Sequence, residues 1–189
     1  MLVGGRSRRQ GRNKALEQFG GKSLIQHVID SVSQVDDDIL VVAASKSHLL
    51  KLDPRIRIVN DRYPVGGVLV GILTGLKASK SQYSLAVSCD MPFLNIDLIQ
   101  YLTSVSRGFD AVIPRIGKMI EPLHAVYSRN CIDPIQAQIE LGNLKISDVL
   151  DKSIVRYIER DDPQHLSFIN INSEEDLKKA KAMMEKIRR

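Results

Sequence analysis

Short apolar runs alternate with longer segments of helical periodicity along most of this chain. Apolar runs of strand length suit buried strands, and their alternation with helices is typical of βαβ units that build a mainly parallel sheet. With no repeat, low-complexity tract or linker in between, the pattern predicts a single α/β domain over residues 1–189. The predicted strands are Leu2–Val3, Ile39–Ala43, Ile56–Val59, Ser84–Ser88, Ala111–Pro114, His124–Tyr127, Ser153–Ile158 and Phe168–Ile171.

Four segments between or after these strands have the spacing of helices. The last one follows Ser173, a good N-cap, and has three acidic residues in its first turn, where the helix dipole favours negative charge. Apolar residues recur at helical intervals within each segment. The four predicted helices lie within residues 24–35, 65–76, 99–102 and 174–187.

The second of these helices carries Gly67, Gly71 and Gly75, which are spaced four apart and therefore share one face. Close packing of that face on the sheet is the simpler interpretation. The alternative is that the helix begins at Gly66–Gly67 beside a ligand, where free N–H groups attract an anion.

Composition narrows the class of protein. The chain is 43% hydrophobic and 26% charged, as in soluble globular domains, and no apolar run approaches the roughly 20 residues needed to span a bilayer. Cys89 and Cys131 are the two cysteines, so we expect no disulfide framework and a cytoplasmic location. The net charge is +5, but the chain has no Trp and only 5% aromatic residues, so we expect neither a membrane nor a nucleic-acid partner.

The first predicted strand runs into Gly4 and Gly5, and five of the nine residues 6–14 are Arg or Lys. Glycines allow close approach of the backbone to a ligand, and the cations supply charge-assisted hydrogen bonds. This combination suits a polyanion such as a nucleoside triphosphate. The order of residues matches neither a P-loop nor a dinucleotide-binding fingerprint.

Three further strands end in polar residues. In doubly wound sheets, ligands bind outside the carboxyl ends of the strands. Asp61 follows the third predicted strand, and Asp90 follows the fourth, where its carboxylate is free to hold Mg²⁺ together with substrate phosphates. Cys89 is expected to be a small core residue, and Asn170 and Asn172 alternate along the last strand.

The four histidines, at positions 27, 48, 124 and 165, are scattered without metal-ligand spacing. His27 falls within a helical pattern and is expected to be structural. His124 could lie near the pocket, but a satisfied core histidine is the simpler expectation. No Ser/His/Asp or Cys/His arrangement is indicated.

Taken in order, these segments resemble the molybdenum cofactor guanylyltransferase family, which belongs to the nucleotidyltransferases of Rossmann-like fold. The opening Leu2–Lys14 is similar to L-A-G-G-x-S-x-R-M-G-x-D-K without a gap, and Cys89–Leu94 is similar to C-D-M-P-F-L. The likeness extends over almost the whole chain. The remaining matching segments are Asn60-Asp61, Val65–Ile72, Pro122–Tyr127 and Phe168–Ser173.

The resemblance implies transfer of GMP from MgGTP to molybdopterin, with release of pyrophosphate. It places Leu2, Val3, Gly4, Gly5 and Asp61 at the nucleotide. It implies that Arg9 and Lys14 bind the phosphates and that Asp90 binds both the Mg²⁺ ion and the nucleotide. Arg9, Lys14 and Asp90 are the implied catalytic set, and Asn170 and Asn172 lie towards molybdopterin. A transient molybdoenzyme or cofactor-delivery partner is compatible with this role.

The chain departs from the family pattern at Val3, Gln10, Asn13 and Val68. These departures affect the expected base selectivity more than the expected type of reaction. Two alternatives therefore stay open: a related nucleotidyltransferase that uses CTP or another phosphorylated acceptor, and a catalytically idle nucleotide-binding protein. A third, a nucleic-acid binder, rests only on the basic residues of the loop 6–14 and of the last helix. Only three residues precede Gly4, so we also expect a first strand shorter than the usual five or six residues, unless the chain starts upstream.

Overall fold

The computed structural model describes residues 1–3, 14–44, 52–61, 63, 66–159 and 166–187. Its strands are β1 (Leu2–Val3), β2 (Gln18–Phe19), β3 (Lys22–Ser23), β4 (Leu40–Ala43), β5 (Arg57–Asn60), β6 (Tyr83–Val87), β7 (Ala111–Ile116), β8 (Met119–Ile120), β9 (His124–Ser128) and β10 (Val155–Glu159). Its α-helices are α1 (Leu24–Val32), α2 (Val68–Ala78), α3 (Ile96–Ser104), α4 (Ile132–Glu140), α5 (Ile146–Leu150) and α6 (Glu174–Ile187).

The central sheet has the order β5-β4-β1-β6-β9-β7-β10. Strands β5, β4 and β1 pair in parallel, and a parallel bridge between Leu2 and Ser88 joins them to the other four strands. Strand β9 runs antiparallel to both of its neighbours, β6 and β7. The sheet is therefore mostly parallel, as the alternation of apolar runs predicts, with one reversed strand that the sequence pattern does not reveal.

Helices cover both faces of the sheet, because successive strand residues point to opposite sides. Val3, Val41 and Val87 pack with α1 and with Ile99 of α3 on one face. Leu2, Ala86 and Ile113 pack with α2, α4 and α5 on the other face. This is the layering of an α/β domain, and it leaves the carboxyl ends of the parallel strands along one edge.

Within the described residues 1–3, strand β1 consists of Leu2 and Val3, which agrees with the expected short first strand. It lies between β4 and β6, which contain four and five residues. Towards the amino ends of these neighbours a cleft of about 180 Å³ remains in the sheet layer, on the side away from the carboxyl edge. Met1, Leu40, Tyr83, Leu85 and Gly75 are among the residues that line this apolar cleft.

The glycine face of α2 packs closely against the sheet. A Cβ placed on Gly71 would collide with the side chain of Leu2, whereas one on Gly75 would lie 3.6 Å from Val42 Cγ2, an ordinary contact. Gly67 is the N-cap and has a φ of 143°, which L side chains rarely adopt. Close packing thus explains Gly71, and the turn into the helix explains Gly67.

One predicted strand is wrong. Residues Leu166–Phe168 form a 3-10 turn, and the chain continues to Asn172 without pairing along a neighbouring strand. Ile171 instead donates its N–H to the Asp90 carbonyl oxygen at 2.9 Å, so the alternation of apolar and amide residues reflects packing onto a loop. The other predicted strands occur within one or two residues of their expected bounds, whereas α4 and α5 were not predicted.

The two glycines of α2 make a matched test of this packing. Gly75→Ala should raise the free energy of unfolding by about 0.5–1 kcal/mol, because alanine favours the helix and the space is free. Gly71→Ala should not show this increase in the free energy of unfolding, because the Leu2 side chain must move to make room for the added methyl group. Chemical denaturation of both variants measures the difference, and equal stabilisation would contradict the close contact between Leu2 and α2.

Candidate active site

Two carboxylates lie at the carboxyl edge of the sheet. Asp61 directly follows β5, and Asp90 lies three residues after the end of β6. Strands β4 and β1 separate β5 from β6, so at about 4.8 Å per strand the two ends are roughly 14 Å apart. This spacing suits one extended ligand that reaches both carboxylates.

Asp90 is held by the turn that leaves β6. Its Oδ1 accepts a hydrogen bond from the Ser88 hydroxyl, and its carbonyl oxygen accepts the Ile171 N–H. Its second carboxylate oxygen has no hydrogen-bond partner among the described residues. The side chain is half-buried, so this oxygen is available to a cation or to a donor on a ligand.

Cys89 confirms the expectation of a core thiol. It is buried, and burial together with the charge of Asp90 raises its pKa to about 12, so the thiol stays protonated and is no nucleophile at neutral pH. The positive charge of Lys14 acts in the opposite direction on the same pKa. Lys14 therefore lies close enough to the Cys89–Asp90 turn to act on it electrostatically.

Lys14 begins a 3-10 turn that leads towards β2, and its Nζ donates to Asn172 Oδ1 at 3.4 Å. The residue before Asn172 is Ile171, which bonds to the Asp90 carbonyl. A cation from the start of the chain and a carboxylate from its middle thus converge on one segment near its end. A cation and a carboxylate placed close together suit a ligand that carries both phosphates and a divalent ion.

Asp61 is fixed at the end of β5 by three hydrogen bonds. Its N–H donates to the Ala43 carbonyl at 2.9 Å, and its Oδ1 accepts from Tyr63 N at 3.3 Å and from Thr74 Oγ1 at 3.4 Å. Thr74 comes from α2, so the helix orients this carboxylate. No role was predicted from the sequence for Thr74 or Ser88: Thr74 is 13 positions from Asp61, whereas Ser88 lies only two residues before Asp90, in the same segment.

Asn170 and Asn172 differ in their surroundings. Asn170 is half-buried, with its amide 3.5 Å from the Phe168 carbonyl, whereas Asn172 is exposed and bonded to Lys14. The next residue, Ser173, exchanges hydrogen bonds with Asp176: Ser173 Oγ accepts from Asp176 N at 3.1 Å, and Asp176 Oδ2 accepts from Ser173 N at 2.9 Å. This capping box starts α6 where the sequence predicted and anchors the end of the asparagine segment.

The other predicted nucleotide residues fall into two groups. Leu2 and Val3 lie in β1; the Leu2 carbonyl accepts the Cys89 N–H at 3.1 Å, and both side chains pack in the core. Gly4, Gly5 and Arg9 lie outside the described residues, as do His48 and His165.

His124 is fully buried at the start of β9, opposite Val87 of β6. Its Nδ1 lies 3.4 Å from Ser167 Oγ, and its ring packs edge-on against Phe168 with 5.2 Å between centroids. Its Nε2 has no hydrogen-bond partner within the described part of the chain. The expectation of a satisfied core histidine is therefore wrong for this nitrogen.

The described residues contain no group of three or more His, Cys, Asp or Glu side chains that could hold a metal ion by themselves. Mg²⁺ commonly needs only one or two carboxylates when substrate phosphates complete its shell, and Asp90 fits that role. In the same described ranges, no helix is both long and apolar enough to span a bilayer.

Comparison with known proteins identifies close relatives. Residues 1–157 match the family model of the MobA-like NTP transferase domain. The chain is 34% identical to a probable molybdenum cofactor guanylyltransferase of Pelotomaculum thermopropionicum, over 100% of this chain and 93% of that protein. It is 36% identical to the molybdenum cofactor guanylyltransferase of Desulfosudis oleivorans, over 96% of this chain and 93% of the relative.

Among solved structures, the chain is similar to molybdopterin-guanine dinucleotide biosynthesis protein A from Archaeoglobus fulgidus. The TM-score is 0.83 and the identity 29%, with 98% of this chain and 97% of that chain covered. The described architecture, including the sheet edge that carries Asp61 and Asp90, thus has the fold of a nucleotidyltransferase.

The buried His124 should make stability depend on pH. Burial lowers its pKa to about 4, against about 6.5 in the unfolded chain, so the folded state favours the neutral ring. Its contribution is complete above pH 6.5 and declines as the pH falls towards 4, by up to about 3 kcal/mol. Urea denaturation from pH 4 to pH 7 measures this slope. His124→Phe should flatten the slope, and an unchanged slope would contradict the assignment.

Proposed function

The chain belongs to the MobA-like NTP transferase family and is a nucleotidyltransferase, and we propose that it transfers GMP from MgGTP to molybdopterin with release of pyrophosphate. The observation that carries the site is the convergence of Lys14, Asn172 and Asp90 at one sheet edge. In the reaction, a phosphate oxygen of molybdopterin forms a bond to the α-phosphorus of GTP, and the bond from that phosphorus to the β-phosphate breaks.

The nucleotide is proposed to lie along the carboxyl edge between β5 and β6. Asp61 contacts the nucleoside, and Lys14 and Arg9 contact the phosphates. Gly4 and Gly5 bring the main chain close to the ligand. The side chains of Leu2 and Val3 are packed in the core, so their proposed contact is through the main chain. Phosphoryl transfer depends on positioning and charge neutralisation, which this set of groups supplies.

Enzymes of this family use a divalent metal, and we propose Mg²⁺ held by Asp90. The unpartnered oxygen of Asp90 and the lack of a larger ligand cluster among the described residues fit an ion that the substrate phosphates bring with them. When bound, Mg²⁺ would neutralise charge that develops on the phosphates. Ser88 holds the other Asp90 oxygen and so fixes the direction of the carboxylate.

Asn170 and Asn172 are proposed to face molybdopterin. Their segment is bonded to the Asp90 turn through Ile171, so an acceptor bound there would lie next to the metal and the α-phosphate. A transient molybdoenzyme or cofactor-delivery protein would supply or collect this ligand. Two buried cysteines, neither in a disulfide, support a location in the reducing cytoplasm.

An assay of pyrophosphate release tests the activity. With Mg²⁺ and molybdopterin present, we expect pyrophosphate from GTP and much less from CTP, and none without molybdopterin or with excess EDTA. Binding of GTP should also raise the melting temperature, because a ligand at 100 times its Kd adds about 2.7 kcal/mol to stability. Faster release or stronger stabilisation with CTP would overturn the choice of base.

Asp90→Asn should lower turnover by about a hundredfold or more. The amide can still accept from Ser88 but loses the charge that binds the metal, and each factor of ten corresponds to about 1.4 kcal/mol of transition-state stabilisation. Asp97→Asn, in the exposed first turn of α3, is the matched control and should keep full activity. Steady-state kinetics with GTP decide, and retained turnover in Asp90→Asn would mean that another group holds the metal.

A further inference from the structure

The segment of residues 166–172 is attached to the loop of residues 90–95 at two points. Ile171 N donates to the Asp90 carbonyl at 2.9 Å, and Asn95 N donates to Ser167 Oγ at 2.9 Å. The two bonds bracket the loop that carries Asp90. The position of Asn170 and Asn172 relative to Asp90 therefore depends on where Ser167 sits.

Ser167 is itself buried and touches His124. Its Oγ is 3.4 Å from His124 Nδ1, while the neighbouring Phe168 ring packs edge-on against the imidazole. Because His124 lies in β9, opposite Val87 of β6, it gives this segment a fixed point on the central sheet. Either atom can be the donor of this hydrogen bond, because the serine hydroxyl both donates and accepts.

Stability alone does not account for a histidine at this position. Its Nε2 is buried without a partner among the described residues, and an unsatisfied buried polar group costs about 1–3 kcal/mol. A phenylalanine would fill similar space and keep the ring contact with Phe168. What the imidazole offers beyond that is Nδ1, the atom next to Ser167.

We propose that His124 is a positioning residue: through Ser167 it sets where Asn170 and Asn172 stand relative to Asp90, and hence how the acceptor meets the nucleotide. The effect on catalysis rests on the proposed function, but the positioning itself does not. His124 contacts no substrate in this proposal. It acts mainly on the acceptor step, because Asp61, the proposed nucleoside contact, is bonded to Ala43 and Thr74 and not to this segment.

Four variants separate positioning from a merely structural role: His124→Phe, His124→Asn, Ser167→Ala and the double variant His124→Phe with Ser167→Ala. Asparagine carries an oxygen and an NH₂ close to where Nδ1 lies, so it can replace the contact in either direction. Each variant is measured for melting temperature at pH 7, for KM of GTP and for kcat and KM with molybdopterin.

We expect stability and activity to move in opposite directions. His124→Phe should melt no lower than the parent, yet lose about ten- to hundredfold in kcat/KM for molybdopterin, with a clearly smaller change in the KM of GTP, because small misplacements of a reactant carry penalties of this size. Ser167→Ala, which also removes the acceptor of the Asn95 N–H, should lose at least as much, and the double variant should be no worse than Ser167→Ala. His124→Asn should melt lower but recover most of the activity.

Hydrogen exchange supplies a readout that needs no substrate. His124→Phe should speed amide exchange in a peptide covering residues 166–172, while a peptide covering α5 keeps its parental rate. If the parent lacks guanylyltransferase activity but this exchange pattern is seen, the proposed function fails and the positioning stands. Unchanged exchange in residues 166–172, additive losses in the double variant, or equal changes in both KM values would overturn the positioning role.

Discussion

Two residues of main chain, Leu2 and Val3, join the two halves of the sheet. Leu2 pairs with Val42 of β4 on one side and bridges to Ser88 beyond β6 on the other, where its carbonyl oxygen accepts the Cys89 N–H. Asp90 follows immediately. The pairing that joins the two halves of the sheet therefore also positions the carboxylate of the proposed metal site. A shift of β1 would move Ser88 and Cys89, and with them Asp90.

The rest of the site is assembled from parts of the chain that are far apart in sequence. Lys14 and Asn172 are separated by 158 positions and meet through a hydrogen bond beside the Asp90 turn. Each contact is modest by itself, and Lys14 and Asn172 are exposed to solvent screening. Their value lies in arrangement: a cation, an amide and the turn that carries a carboxylate are already joined by hydrogen bonds before any ligand arrives, and such preorganisation reduces the entropy lost when two substrates are brought together.

Much of this arrangement could be predicted from the sequence, because periodicity and strand ends are local signals. Alternating apolar runs predicted the strands, and the rule that ligands bind at carboxyl ends placed Asp61 and Asp90 on one edge. Helix α4 could also have been predicted from the sequence, because Ile132, Ile135 and Ile139 have helical spacing. Pro134 lies in its first turn, where a missing N–H is tolerated.

The remainder depends on tertiary contacts that no local pattern encodes. Residues 168–171 alternate like a strand, but Ile171 finds its partner in the turn at Asp90 rather than in a neighbouring strand. The reversal of β9 follows from the packing order of the sheet. The environment of His124 arises only when β9 meets a segment more than forty residues later in the chain.

The apolar cleft beside β1 has a mechanical consequence. A folded state with internal void volume occupies more space than the hydrated unfolded chain, so hydrostatic pressure shifts the equilibrium towards unfolding. The cleft of about 180 Å³ between β4 and β6 lies beside the two-residue strand β1, so its volume would contribute to this effect there. The strand that links the two halves of the sheet therefore borders the part of the domain on which pressure should act.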